Sequence, residues 1–231
     1  MKVSRLGLGI FMMSLIAVGG DLSGHLVVTR QLSKKTVTTA VYNLRGATPA
    51  AAHAQTQPVN EYQRVVVWLE GGPSKPRPPV TLSIDQKGTA FDPDMLVIPV
   101  GSSVDFPNSD PIFHNVFSLS RAQPFDLGYY RQGQSKVVKF NRAGIVQVYC
   151  HLHSQMYAVI IVTSSAWFGK PSAEGDFSFT DVPAGHYRVL SWHKVAGLHG
   201  TEVDIPEHGA VETSIRIPVD PVNPVNAETR P

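Results

Sequence analysis

Side chains able to hold a metal are concentrated in one short string, Tyr149-Cys150-His151-Leu152-His153-Ser154-Gln155-Met156-Tyr157. Cys150, His153 and Met156 recur at intervals of three, so a thiol, an imidazole and a thioether can turn toward one point from a single loop. Far upstream, His114 lies in the polar stretch Asn108-Ser109-Asp110-Pro111-Ile112-Phe113-His114-Asn115, which follows an apolar run ending at Phe106. In an antiparallel sandwich, loops at the same end of neighbouring strands converge, so His114 can meet the other three. A thiolate and two imidazoles in a plane, with a weak axial thioether, suit a copper ion that changes charge by one electron. Soft sulfur favours Cu(I), imidazole accepts Cu(II), and a geometry between the two preferences leaves little to move on electron transfer.

Taken singly, these residues have bland readings. A lone buried cysteine is usually a small core hydrophobe, and a methionine usually fills space. The combination decides, together with the cysteine count: Cys150 is the 1 cysteine of the chain. That excludes an internal disulfide framework, cysteine-rich zinc or iron–sulfur sites, and a dinuclear copper centre with two bridging thiolates. A trinuclear oxidase cluster needs histidines on both sides of the cysteine and further His-x-His pairs elsewhere, whereas Tyr149 precedes Cys150. Strand alternation turns His151 away from Cys150 toward solvent. Met95 reads as core, and His193 and His199 read as surface histidines lacking a third ligand.

The segment from Val80 to Val162 resembles the cupredoxins, the blue-copper family. The matching features are Phe91-Asp92-Pro93, Gly101 followed by Val104-Asp105-Phe106 and Asn108, then His114-Asn115-Val116, Gly144, and the Tyr149-Cys150-x-x-His153-x-x-Met156 loop with the short spacing of amicyanins. The resemblance implies a Greek-key β-sandwich holding one type 1 copper through His114, Cys150, His153 and Met156, with Asn115 bracing the ligand loops. It implies a carrier of single electrons, not an enzyme, serving a redox-protein donor and acceptor through transient docking around His153, with Leu152, Pro111 and Phe113 nearby. A copper delivery, storage or sensing module is the alternative that the same ligands allow.

The surrounding sequence supplies a scaffold for such a site. Short β-branched runs recur, among them Leu26–Thr29, Val37–Tyr42, Arg64–Leu69, Leu96–Val100, Ile145–Cys150, Ala158–Val162 and Tyr187–Trp192, and no helical apolar stripe appears after the leader. With 19 glycines and 18 prolines breaking these runs, the expectation is an all-β protein. The predicted organisation is a leader at 1–20, an N-terminal β segment at 24–72, the copper domain at 80–163, a C-terminal β domain at 164–218 and a disordered tail at 219–231. The two flanking segments are expected to pair as a second, smaller sandwich. They resemble carboxypeptidase regulatory-like and transthyretin-like modules through Gly175-Asp176-Phe177-Ser178-Phe179 and Val182-Pro183-Ala184-Gly185-His186-Tyr187, read as a hairpin, and through Val65–Gly71. Gly46–Gln63 reads as a long loop, and Gly71–Pro79 as a stiff proline-rich linker.

Residues 1–20 carry Lys2 and Arg5, then an apolar run from Leu6, then small residues at Ala17, Gly19 and Gly20. This layout predicts a secretory signal, an exported and in a bacterium periplasmic protein, and no membrane span once the signal is cleaved. Without it, 20 basic residues become 18 against 18 acidic ones, which leaves no global field for nucleic acid.

Overall fold

Strand Tyr157–Thr163 is apolar almost throughout, and it is buried from Ala158 to its end. Its two faces serve two different cores. Ala158, Ile160 and Val162 point into the cluster that contains Cys150, while Val159 and Ile161 join a second cluster on the opposite side. Unbroken hydrophobicity in a strand means burial on both faces, and this strand shows how the described residues are organised: four layers of sheet, with a small two-stranded ribbon, around three cores. The computed structural model describes residues 19–29, 60–73 and 76–217. Within them the protein is all-β, apart from one 3-10 turn at Glu61–Arg64.

The outermost layer on one side contains β1 (Gly19–Val28), β14 (Asp176–Pro183) and β17 (Ala210–Ile217), in the order β14-β1-β17. Facing it is a four-stranded sheet of β13 (Phe168–Gly169), β2 (Val65–Gly71), β15 (Gly185–His193) and β16 (Gly197–Ile205). Between them lies a core that includes Leu22, Leu26, Val65, Val67, Leu69, Tyr187 and Val189. Strands from both ends of the described sequence thus build one sandwich, around the intervening segment.

That segment forms the other two layers. A five-stranded sheet runs β6 (Met95–Pro99), β12 (Tyr157–Thr163), β11 (Gly144–Tyr149), β8 (His114–Ser118), β9 (Phe125–Tyr130). It faces β10 (Ser135–Lys139), β7 (Ser103–Pro107) and β3 (Thr81–Ser83), and a small ribbon pairs β4 (Asp85–Gln86) with β5 (Phe91–Asp92). The two sandwiches meet at a seam of Val66, Trp68, Leu190 and Trp192 against Met95, Val159 and Ile161. Lys194 reaches across to the Asp94 carboxylate and to the Tyr157 carbonyl.

Several expectations need correction. Asp176–Pro183 and Gly185–His193 are strands but not a hairpin: β14 pairs with β1, and β15 pairs with β2 and β16, so the Pro183-Ala184-Gly185 link crosses between layers. Gly19 and Gly20, assigned to the leader, lie in β1, where Gly20 pairs with Val182. Glu61–Arg64 forms a turn rather than the end of a loop. Strands β9 and β16 went unpredicted because glycine and charged residues interrupt their apolar pattern. The rest of the leader, Val37–Tyr42, the stretch 46–59 and the tail 219–231 lie outside the described residues.

His193 is not on the surface. It is fully buried at the end of β15. Its Nδ1 accepts the Val195 and Ala196 N–H groups, and its Nε2 lies 3.2 Å from the Glu61 carboxylate. Burial lowers its pKa more than the Glu61 charge raises it. The unfolded chain therefore binds the proton first, and stability contributed above about pH 6.5 declines as the pH falls toward the lower folded value. Exposed His186, raised by Asp204, acts in the opposite sense. Urea midpoints at pH 8 and pH 5.5 should separate the two: His193→Gln should lose less stability on acidification than the wild type.

Candidate metal centre

Strand β11 ends at Tyr149 and β12 begins at Tyr157, leaving a tight connection that carries three of the four residues singled out from the sequence. Within it the Met156 N–H donates to the His153 carbonyl at 2.9 Å, closing a turn that presents His153 outward and returns Met156 to the core. His114 is the first residue of β8 rather than a loop residue, and it is completely buried. Strand β8 adjoins β11 in the sheet, with Phe117 opposite Tyr149, and this pairing carries His114 to the end where Cys150 emerges.

The three donors converge. Cys150 Sγ lies 3.9 Å from His114 Nδ1 and 3.9 Å from His153 Nδ1, and all three donor atoms fall within 4.8 Å of one another. An ion with metal–sulfur and metal–nitrogen bonds of about 2.3 and 2.0 Å in a trigonal plane needs S···N separations of about 3.7 Å. The two S···N separations are therefore close to what a single shared ion requires. The two imidazole rings meet edge-on, with centroids 4.9 Å apart. Met156 is fully buried in the same cluster as Cys150. Of the four residues only His153 is partly exposed, which gives the centre one route to the surface. His151 does turn outward, stacking on Phe117 at 3.9 Å between centroids, and Met95 lies in the seam.

Asn115 ties together the segments that carry His114 and Cys150. Its Oδ1 accepts the His151 N–H at 3.2 Å and its Nδ2 donates to Asp126 at 2.7 Å. Buried Asn108 shapes the 108–113 connection by donating to the Ile112 and Tyr130 carbonyls and accepting the Asp110 N–H.

Sequence reasoning passed over Asp110. Its Oδ2 is 2.7 Å from His114 Nε2, on the ring edge away from Cys150, and the residue is 7% exposed. Burial raises the carboxyl pKa, but the Thr89 and Gly88 N–H groups and His114 together outweigh it and hold the group below its usual range. The i, i+4 interval to His114 was visible, but nothing distinguished this aspartate from Ser109 or Asp105 before the loop was folded.

No family model matches the chain, and no curated protein matches it. Among solved structures, a methionine-to-alanine variant of amicyanin in its Cu(I) form is 19% identical over 36% of this chain and 82% of that one, with a TM-score of 0.35. A purple cupredoxin from Nitrosopumilus maritimus is 24% identical over 35% of this chain and 98% of that one, with a TM-score of 0.33. A copper-containing nitrite reductase from Thermus scotoductus SA-01 is 26% identical over 41% of this chain but only 24% of its own length, with a TM-score of 0.34. Among the described residues no helix is long and apolar enough to cross a membrane.

Proposed function

We propose that this chain is an exported type 1 copper protein that carries single electrons between redox partners and turns over no substrate. The observation that carries the reading is the pair of 3.9 Å separations from one buried sulfur to two imidazole nitrogens. The donor chemistry fits copper: one thiolate and two imidazoles are a set that serves both Cu(I) and Cu(II). Bound there, the ion would supply a one-electron couple, and His114, Cys150 and His153 would hold it with Met156 as a weak fourth ligand.

The remaining work belongs to the protein. Strand β8 holds His114 and the paired end of β11 anchors Cys150 next to it, so the donors would change position little between oxidation states. Burial of Cys150 at 5% exposure keeps water from the sulfur. His153 offers its ring edge to the surface, and the ligand-bearing connections expose Ile112 at 42%, Phe113 at 57% and Leu152 at 53%. Such a small apolar rim suits brief docking of a redox protein, because a carrier must also release its partner.

The test is to add Cu(II) to the purified protein and record its visible and paramagnetic resonance spectra. An intense thiolate-to-copper absorption is expected, and the copper should stay bound through reduction. An ordinary weak absorption, or surrender of Cu(I) to a competing ligand on reduction, would count against a carrier. Met156→Leu conserves volume in the core, so it should cost less than about 1.5 kcal/mol. It should keep the absorption and raise the potential by on the order of 59 mV, a tenfold change in relative affinity, because a weak donor to Cu(II) is lost. Cyclic voltammetry checks this; an unchanged potential would remove Met156 from the ligand set.

A further inference from the structure

Between β4 and β5 the chain turns through Lys87-Gly88-Thr89-Ala90. Gly88 and Thr89 both have positive φ, 63° and 54°. For a β-branched residue such as Thr89 this is a rare, strained backbone state. A turn can aim successive N–H groups in one direction and form a concave anion-binding nest. The anion is Asp110: the Gly88 N–H donates to its Oδ1 at 2.6 Å and the Thr89 N–H to its Oδ2 at 2.9 Å. A third bond to the same carboxylate comes from His114 Nε2 at 2.7 Å. The strained turn, the buried carboxylate and the imidazole thus form a connected series that ends at the donor atom facing Cys150.

Resting on the copper reading above, we propose that Asp110 is a positioning and tuning residue that acts on the metal through His114. By accepting the Nε2–H it fixes the tautomer, so that the Nδ1 lone pair points toward the Cys150 sulfur and the shared ion. Its fixed negative charge, one ring away, stabilises Cu(II) more than Cu(I) and holds the reduction potential low. A neutral backbone carbonyl in the same place would fix the ring equally well without adding that charge. The turn at 87–90 gives the buried carboxylate two N–H donors in place of water, and this gives the strained conformation of Thr89 a purpose.

The experiment compares Asp110→Asn with the wild type, both loaded with copper. Asparagine keeps the shape and an acceptor oxygen, but removes the charge and turns an amide toward the nest. Partners of this kind typically change metal affinity 10–100-fold. The expected result is an intact thiolate-to-Cu(II) absorption with Cu(II) affinity weakened at least about tenfold relative to Cu(I). For a one-electron couple that ratio corresponds to a potential about 59 mV higher. A purely structural role would lower thermal stability and leave the potential of the folded fraction unmoved, so a potential unchanged with the absorption intact overturns the proposal. Should Asp110→Asn fail to fold, the wild type loaded with Zn(II) still decides: the His114 Nε2–H should give a slowly exchanging, downfield proton resonance, and its absence overturns the proposal. If the wild type gives no intense absorption with Cu(II), the copper reading itself has failed. Zn(II) affinity then decides the role of Asp110, supporting it if the variant binds about tenfold more weakly and overturning it if the two are equal.

Discussion

Cys150→Ala is expected to abolish the intense visible absorption of the copper-loaded protein entirely. The band requires a thiolate bound to Cu(II), and no other cysteine exists in the chain to supply one. Copper affinity should fall by more than about a hundredfold, since loss of a ligand should exceed the loss caused by removing only its supporting partner. The fold should survive. Cys150 is one small member of a large cluster with Phe106, Phe140, Val148 and Ile160. Replacing it by alanine removes one buried sulfur at roughly 1–2 kcal/mol. Circular dichroism and denaturant titration of the apoprotein would separate the two effects. A variant that stayed folded and kept the absorption would rule Cys150 out as the ligand.

The second large effect is expected far from the candidate site. Trp192→Ala should cost roughly 3–5 kcal/mol, the range for truncating a large buried aromatic side chain. Trp192 is 5% exposed and lies in the seam with Trp68, Leu190, Met95, Val159 and Ile161. Truncation would leave a void between two rigid sheets that paired strands prevent from collapsing. Among the described residues its buried indole Nε1 has no hydrogen-bond partner, so Trp192→Phe should be much milder, because it removes an uncompensated donor together with part of the ring. Urea denaturation monitored by circular dichroism reads both variants. A loss below about 1 kcal/mol for the alanine variant would show that the seam is not a packed core.

The sequence made the loop carrying Cys150, His153 and Met156 legible because spacing and residue type survive folding unchanged. Cys150, His153 and Met156 had to share one short connection, and only the pairing of β8 with β11 was needed to add His114. The layering was half legible. The apolar runs at Arg64–Leu69 and Ala158–Val162 read as strands, but a run cannot name its neighbours. The supposed hairpin at Asp176–Tyr187 failed for that reason: a Pro-Ala-Gly link looks the same whether it returns along one sheet or crosses to another. Asp110 escaped notice for a different cause. Its role depends on the backbone of a turn some 20 positions earlier, where Thr89 adopts a conformation that no propensity would assign to it.

The shared seam bears on how the half that carries the candidate site could be used by itself. Cut free of its neighbour, it would display Met95, Val159 and Ile161 across a flat, uncovered slab. Such a slab is a surface on which copies stick to one another. The half that carries the candidate site is therefore not a portable cassette. Anyone grafting it elsewhere must first repaint that wall with polar side chains.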